Sequence, residues 1–190
     1  MAMSLRFLGR GPRQKAWLSA VTHLIGTAAG GALIGLILGS VGELLPTGLI
    51  RAILVLTSTF AVLRSIWGTR SLGFNKQVPR AWGRIRFATL THFLWGLLLG
   101  AGVTVLIPYS SQLLLWAAEF ASGPVTAVAM GFAFGLGRAL PAVAHSSNPT
   151  TLDIGSMMDR LPALQAQGRV FNIAISALSV PVVLAIWRVT

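Results

Sequence analysis

The feature that most constrains this chain is a run of 27 residues, 16–42, without a single Asp, Glu, Lys or Arg. A helix of that length crosses the roughly 30 Å hydrocarbon core of a bilayer with room to tilt. Only 10% of the 190 residues are charged, against about 25% in a soluble domain. The sequence therefore predicts an all-α, polytopic integral membrane bundle of about five transmembrane helices, at residues 16–42, 48–67, 87–107, 123–137 and 169–188.

Basic residues set the expected orientation of these helices. With five spans and a cytoplasmic N-terminus, all of the 15 Lys and Arg except Arg51 and Arg188 fall on the cytoplasmic side. Such a bias is the usual signature of cytoplasmic loops. We therefore predict a multi-pass protein of the cell membrane with a single transmembrane domain, 16–190. Its predicted polar parts are a basic cytoplasmic N-terminus, 1–15, a basic cytoplasmic loop, 68–86, and a polar loop, 145–168.

One apolar segment, 109–122, has only 14 residues and contains Glu119. That is short for a span and typical of a re-entrant or interfacial segment. It follows Pro108, and proline interrupts a helix by removing a hydrogen bond and by steric clash. The sequence thus predicts a central helix broken at Pro108. A sixth span over 109–122 is the alternative, and it would weaken the charge bias.

The composition excludes several classes of function. The chain has no cysteine, so disulfides and thiolate metal sites are excluded. The basic residues that give the net charge of +11 lie beside apolar runs and do not form a basic patch interleaved with aromatics. Expected partners are therefore the lipid bilayer and either further copies in a homo-oligomer or partner membrane subunits, and not nucleic acid. No hydrolase, zinc-protease or phosphate-loop motif occurs, so we predict that the protein is not an enzyme.

Two histidines occupy matching positions in a weak internal repeat. Thr22-His23-Leu24 recurs as Thr91-His92-Phe93, each about two turns into a glycine-rich predicted helix. At similar depth, His23 and His92 can face each other and hold a haem or pigment through an imidazole nitrogen, or relay protons. The alternative is that each histidine hydrogen-bonds a neighbouring helix carbonyl. No third ligand accompanies them, and no metal site is predicted.

Two charged residues complete the candidate solute site. Arg138 precedes Pro141, and a cation beside an interrupted helix can bind an anion in a transporter; the alternative is an interfacial arginine that snorkels to a phosphate. Glu119 can accept a proton on an uptake path or pair with Arg51. Its alternative is a water-exposed carboxylate at the outer interface. The predicted solute contacts are Arg138, His92, Glu119 and the break at Pro108.

The stretch 93–143 combines a glycine-rich helix, a break at Ile107-Pro108-Tyr109 and a later Gly135-Leu136-Gly137 followed by Pro141. This pattern resembles the second repeat of the CcdA/DsbD transmembrane family, whose members carry electrons between thiols. The resemblance implies a transporter-like scaffold with a broken helix near its centre, in a bacterial inner membrane. Tyr109 stands where that family has a redox cysteine, so the resemblance does not extend to electron transfer.

Two functions remain open on these grounds. One is a small transporter-like protein for a small anionic or neutral solute. The other is a non-catalytic subunit of a larger membrane complex that holds a cofactor through His23 or His92. Glycines at four-residue spacing predict close helix packing in either case: Gly31, Gly35 and Gly39; Gly96 and Gly100; Gly131 and Gly135.

Overall fold

The structure, a computed structural model, describes residues 13–67, 88–102 and 111–147, together with 167, 170, 172–175, 177 and 178. The described residues form helices without any strand, which confirms the all-α class. The predicted basic loop, most of the polar loop and most of the last span lie outside them. Within these residues, five helices have defined bounds: α1 (Arg13–Glu43), α2 (Thr47–Trp67), α3 (Ala88–Ala101), α4 (Ser111–Ala121) and α5 (Pro124–Ser147).

Helix α1 is the centre of the bundle and packs against α3 and α5. Its glycines fall on two faces. Gly30 lies so close to α3 that a Cβ there would overlap the Leu97 carbonyl, and a Cβ on Gly31 would overlap the Gly131 carbonyl of α5. Backbone therefore meets backbone on both sides, as expected where small residues line a helix interface. The predicted packing role of these glycines is confirmed.

The order of the contacts fixes the direction of each helix relative to α1. Along α3, Gly96 approaches the His23 carbonyl and Gly100 approaches the Thr27 carbonyl. Position numbers rise together, so α3 runs parallel to α1. Along α5 the position numbers change in opposite directions, because Gly131 meets Gly31 and the later Gly135 meets the earlier Thr27. Helix α5 is therefore antiparallel to α1.

The three helices converge at Thr27. Its side chain is fully buried. Its hydroxyl donates to the carbonyl oxygens of His23, at 3.1 Å, and Leu24, at 2.8 Å, one turn earlier in α1. A hydroxyl bonded back to its own helix leaves no polar atom unpaired, so threonine is tolerated at this crossing.

The third predicted span is interrupted earlier than the sequence suggested. Helix α3 ends at Ala101, before the predicted end of the span at residue 107, and residues 103–107 lie outside the described residues. Gly102 adopts a left-handed φ of 70°, and its N–H donates to the Leu99 carbonyl at 3.2 Å. The glycine conformation therefore closes the helix. Pro108, the predicted cause of the break, lies outside the described residues.

The interruption lies about halfway along α1. The last residue of α3, Ala101, packs beside Gly30 of the 31-residue α1. Helix α4 then ends near the far end of α1, where the Phe120 carbonyl meets Gly42. A second left-handed glycine, Gly123 with φ 74°, follows it. Helices α3 and α4 thus divide the length of α1 between them.

Helix α5 begins with Pro124 in the position that proline favours, the first turn of a helix. The Ala127 N–H donates to the Gly123 carbonyl at 2.9 Å. The helix continues through Pro141 to Ser147, so it extends past the predicted end of the span at residue 137, and the predicted interruption beside Arg138 is wrong. Proline costs a helix one hydrogen bond, yet its fixed φ is helical.

The distribution of side chains is the reverse of that in a water-soluble core. Every buried hydrophobic residue in the described part is an alanine, whereas leucine, isoleucine, phenylalanine and tryptophan are abundant on the outside. Two segments, Trp17–Glu43 and Thr47–Trp67, are long and apolar enough to cross a membrane. Two shorter apolar helices accompany them, Thr89–Ala101 and Pro124–Leu140.

Candidate functional site

The helix break coincides with two buried polar side chains on α4. Gln112 is 7% exposed and Glu119 is 1% exposed. Seven residues apart, they lie on one face of the helix, two turns from each other. Neither Gln112 Nε2 nor Glu119 Oε2 has a hydrogen-bond partner among the described residues. An unsatisfied buried polar atom costs about 1–3 kcal/mol, so this face of α4 is not optimised for stability.

The Glu119 carboxyl lies deep in the bundle. A Cβ on Gly131 would be 3.1 Å from Glu119 Oε1. Gly131 packs on Gly31, near the middle of α1, so the acid side chain points away from the end of the bundle at which α4 terminates. The alternative of a water-exposed carboxylate is wrong. No ion pair joins Glu119 to Arg51 in the described part of the chain.

Gln112 is a site residue that the sequence reasoning missed. A Cβ on Gly102 would be 3.1 Å from its Nε2, so the amide lies against the C-terminal end of α3. Helix C-termini carry partial negative charge and unpaired carbonyl groups. The signal that marks this pair is the seven-residue spacing of Gln112 and Glu119 in an otherwise apolar segment.

A second polar cluster holds the start of α4. The Ser111 N–H donates to Asn172 Oδ1 at 2.9 Å. Asn172 Nδ2 donates to Ser65 Oγ at 2.7 Å, and Ser65 Oγ donates to the Ala61 carbonyl at 2.7 Å. Asn172 and Ser65 are both buried. One asparagine therefore acts as the N-terminal cap of α4 and ties it to α2.

Replacing Asn172 by alanine is expected to destabilise the protein by about 2 kcal/mol, because it leaves the part-buried Ser111 N–H and the buried Ser65 hydroxyl without this partner. Thermal unfolding in detergent measures the change. Val170 is 68% exposed, so Val170→Ala is the matched control and should shift stability by no more than about 0.5 kcal/mol. Equal effects of the two substitutions would contradict the capping role.

The two predicted histidines meet at the contact between α1 and α3. His23 Nδ1 lies 3.4 Å from the His92 carbonyl oxygen, a long but allowed hydrogen-bond separation. This is the geometry of the alternative in which the imidazole bonds a neighbouring helix. In the described part of the chain, no three His, Asp or Glu residues lie close enough together to hold a metal ion.

Arg138 and His92 lie in a different layer from the helix break. Arg138 is half-buried, with its guanidinium carbon 5.4 Å from the centre of the Phe134 ring, which is cation–π geometry. Since Gly135 meets Thr27, the antiparallel register places Arg138 near the level of His23. It is about 10 Å along α5 from Gly131. Of the predicted solute contacts that fall within the described residues, only Glu119 lies near the level of the break.

Comparisons with protein-family models, with curated proteins and with solved structures find no match to this chain. The CcdA/DsbD resemblance of residues 93–143 therefore stays a prediction.

Proposed function

We propose that this protein is a small membrane transporter whose solute passes the break between α3 and α4. The observation that carries the proposal is the pair of buried, unpartnered polar atoms, Gln112 Nε2 and Glu119 Oε2, beside an interrupted helix. Transporters commonly build their sites from discontinuous helices near the bilayer midplane. There, irregular backbone is tolerated because it lines a cavity and is not exposed to lipid.

The lengths of the helices support a polytopic arrangement in the membrane. Helices α3 and α4 have 14 and 11 residues, so they reach only about 21 Å and 16 Å. Neither crosses a bilayer alone, whereas the two in succession reach about 37 Å, enough to cross a hydrocarbon core of about 30 Å. We therefore favour five spans, with α3 and α4 as one interrupted span and the N-terminus in the cytoplasm. The apolar exterior and small-residue interior fit lipid as the surrounding solvent.

The chemistry of the break suits a small polar solute. The Gln112 amide offers N–H donors and a carbonyl acceptor, and the Glu119 carboxyl accepts when ionised and donates when protonated. A solute that satisfies both groups removes the cost of leaving them unpaired. A neutral solute fits either form of Glu119. An anion fits the protonated form, because a neutral acid does not repel it.

Uptake into proteoliposomes tests the proposal with radiolabelled amino acids, monocarboxylates and polyols as probes. We expect at least one of them to enter vesicles that contain the protein faster than it enters empty ones. Gln112→Leu should reduce that uptake at least tenfold. Gln167 is exposed, so Gln167→Leu is a matched control that should retain it. No uptake of any probe, with a second membrane protein retained through purification, would favour the alternative function.

That alternative is a non-catalytic subunit of a membrane complex, and the proximity of His23 and His92 favours it. A haem or pigment held by these imidazoles would give a visible absorption band after purification in mild detergent. We expect His23→Ala and His92→Ala to remove the band if this function holds. A band of unchanged intensity in both variants would exclude the two histidines as ligands.

A further inference from the structure

We propose that Glu119 is a proton-binding site, and that it takes up and releases one proton in each transport cycle. This inference rests on the transport function proposed above and specifies the ion that drives it. Ionisable groups at membrane depth commonly serve proton relays. The first observation is the burial of the side chain, of which 1% is exposed, with Oε2 left without a partner among the described residues.

The second observation is that, among the residues that the structure describes, no ion pair joins a cation to this carboxyl. On α2, Arg51 lies near the N-terminal end, and Arg64 is buried near the C-terminal end. On α5, Arg138 is over the Phe134 ring. On α1 and α3, His23 and His92 lie at their mutual contact.

An unpaired carboxylate in such a place is costly, whereas the neutral acid is far less so. The resting form is therefore the protonated acid, whose O–H can donate to a solute or to a carbonyl. When the site opens to water, hydration stabilises the carboxylate, and the acid then releases H⁺ to the aqueous phase. The O–H bond breaks, the electron pair stays on the carboxylate oxygen, and no other reactant is required.

A second carboxyl provides a matched reference near the same end of the bundle. A Cβ on Gly123 would be 3.4 Å from Glu43 Oε1, and Glu43 is exposed. The chain has only these two glutamates, Glu43 and Glu119. In Glu43→Gln, Glu119 is thus the only glutamate, and in Glu119→Gln, Glu43 is the only one.

Carbon-13 labelling of glutamate side-chain carboxyls in these two variants tests the proposal by NMR, with the 190-residue chain in lipid nanodiscs. At neutral pH, the carboxyl signal of Glu119 should be that of a neutral acid and should differ from the signal of the exposed Glu43. On raising the pH, the Glu119 signal should change to that of a carboxylate. A carboxylate signal from Glu119 at neutral pH would overturn the proposal.

The response to sodium distinguishes a proton-binding site from a sodium-binding site. Replacing N-methylglucamine chloride by sodium chloride at constant pH should leave the Glu119 signal unchanged. Conversion to a carboxylate by sodium would overturn the proton assignment and indicate a sodium site. The NMR measurement needs no solute, so it is independent of the uptake assay. A neutral Glu119 without uptake of any probe would contradict the transport function but not proton binding.

Discussion

The substitution Gly131→Val is expected to disrupt the bundle, with a loss of about 3 kcal/mol of stability or more. Gly131 and Gly31 meet backbone to backbone, and a Cβ on either would overlap the carbonyl oxygen of the other. The contacting atoms belong to main chain, so no side-chain rotation relieves the overlap. Helices α1 and α5 would have to separate, and the space around the Glu119 carboxyl would change with them.

Gly137 on the same helix supplies the control, because nothing lies within 4 Å of a Cβ built there. Gly137→Val should change stability by less than about 1 kcal/mol, because the helix propensities of glycine and valine differ by less than that. It makes the same exchange as Gly131→Val and therefore controls for the change of residue type. Thermal unfolding followed by size-exclusion chromatography in detergent measures the two. Similar behaviour of both variants would show that α1 and α5 do not pack through these glycines.

Replacing Glu119 by leucine is expected to stabilise the protein and to abolish uptake. The substitution removes a buried oxygen that lacks a partner among the described residues, which is worth about 1–3 kcal/mol. It also removes the group that we propose to carry the proton. A gain in stability with a loss of function is expected where a site has been kept at the expense of packing.

Unfolding temperature and proteoliposome uptake are measured on the same preparations of Glu119→Leu. The exposed Glu43 is the control residue, and Glu43→Gln should change stability by no more than about 0.5 kcal/mol and retain uptake. A large loss of stability in Glu119→Leu would mean that the carboxyl has a structural partner. That outcome would contradict its assignment as an unpaired acid.

The helical class and the close packing of glycines were predictable because they depend on local pattern. A long uncharged run specifies a helix in lipid, and four-residue spacing places Gly31 and Gly35 on one face. The position of the break was harder to predict. Proline is the strongest helix breaker in general, yet α3 ends at Ala101, immediately before Gly102. Gly102 adopts a left-handed conformation, and nothing in the sequence distinguishes it from the helical glycines before it.

The site was only partly predictable for a different reason. Glu119 stands in a short segment that looks peripheral, and its burial depends on α4 lying against α1 and α5, which is a tertiary property. Gln112 is uncharged, and its only signal in the sequence is its seven-residue spacing from Glu119 in an otherwise apolar segment. By contrast, Arg138 was predicted as a site residue from its charge and His92 from its place in the repeat. The antiparallel register of α5 and the parallel register of α3 place these two residues in a different layer from the break. Charge identifies costly residues, whereas only packing shows which of them meet.

We propose that the break between α3 and α4 lies at mid-depth in a bilayer, and the accessibility of spin labels along the bundle can measure this depth. The chain has no cysteine, so labels can be attached singly at Leu33 and Phe132, which are 48% and 47% exposed near the Gly31 and Gly131 crossing, and at Leu44, which is 82% exposed at the end of α1. In nanodiscs, we predict that labels at 33 and 132 are accessible to oxygen and shielded from a water-soluble nickel complex, whereas the label at 44 is accessible to nickel. Ready access of nickel to positions 33 and 132 would contradict the account.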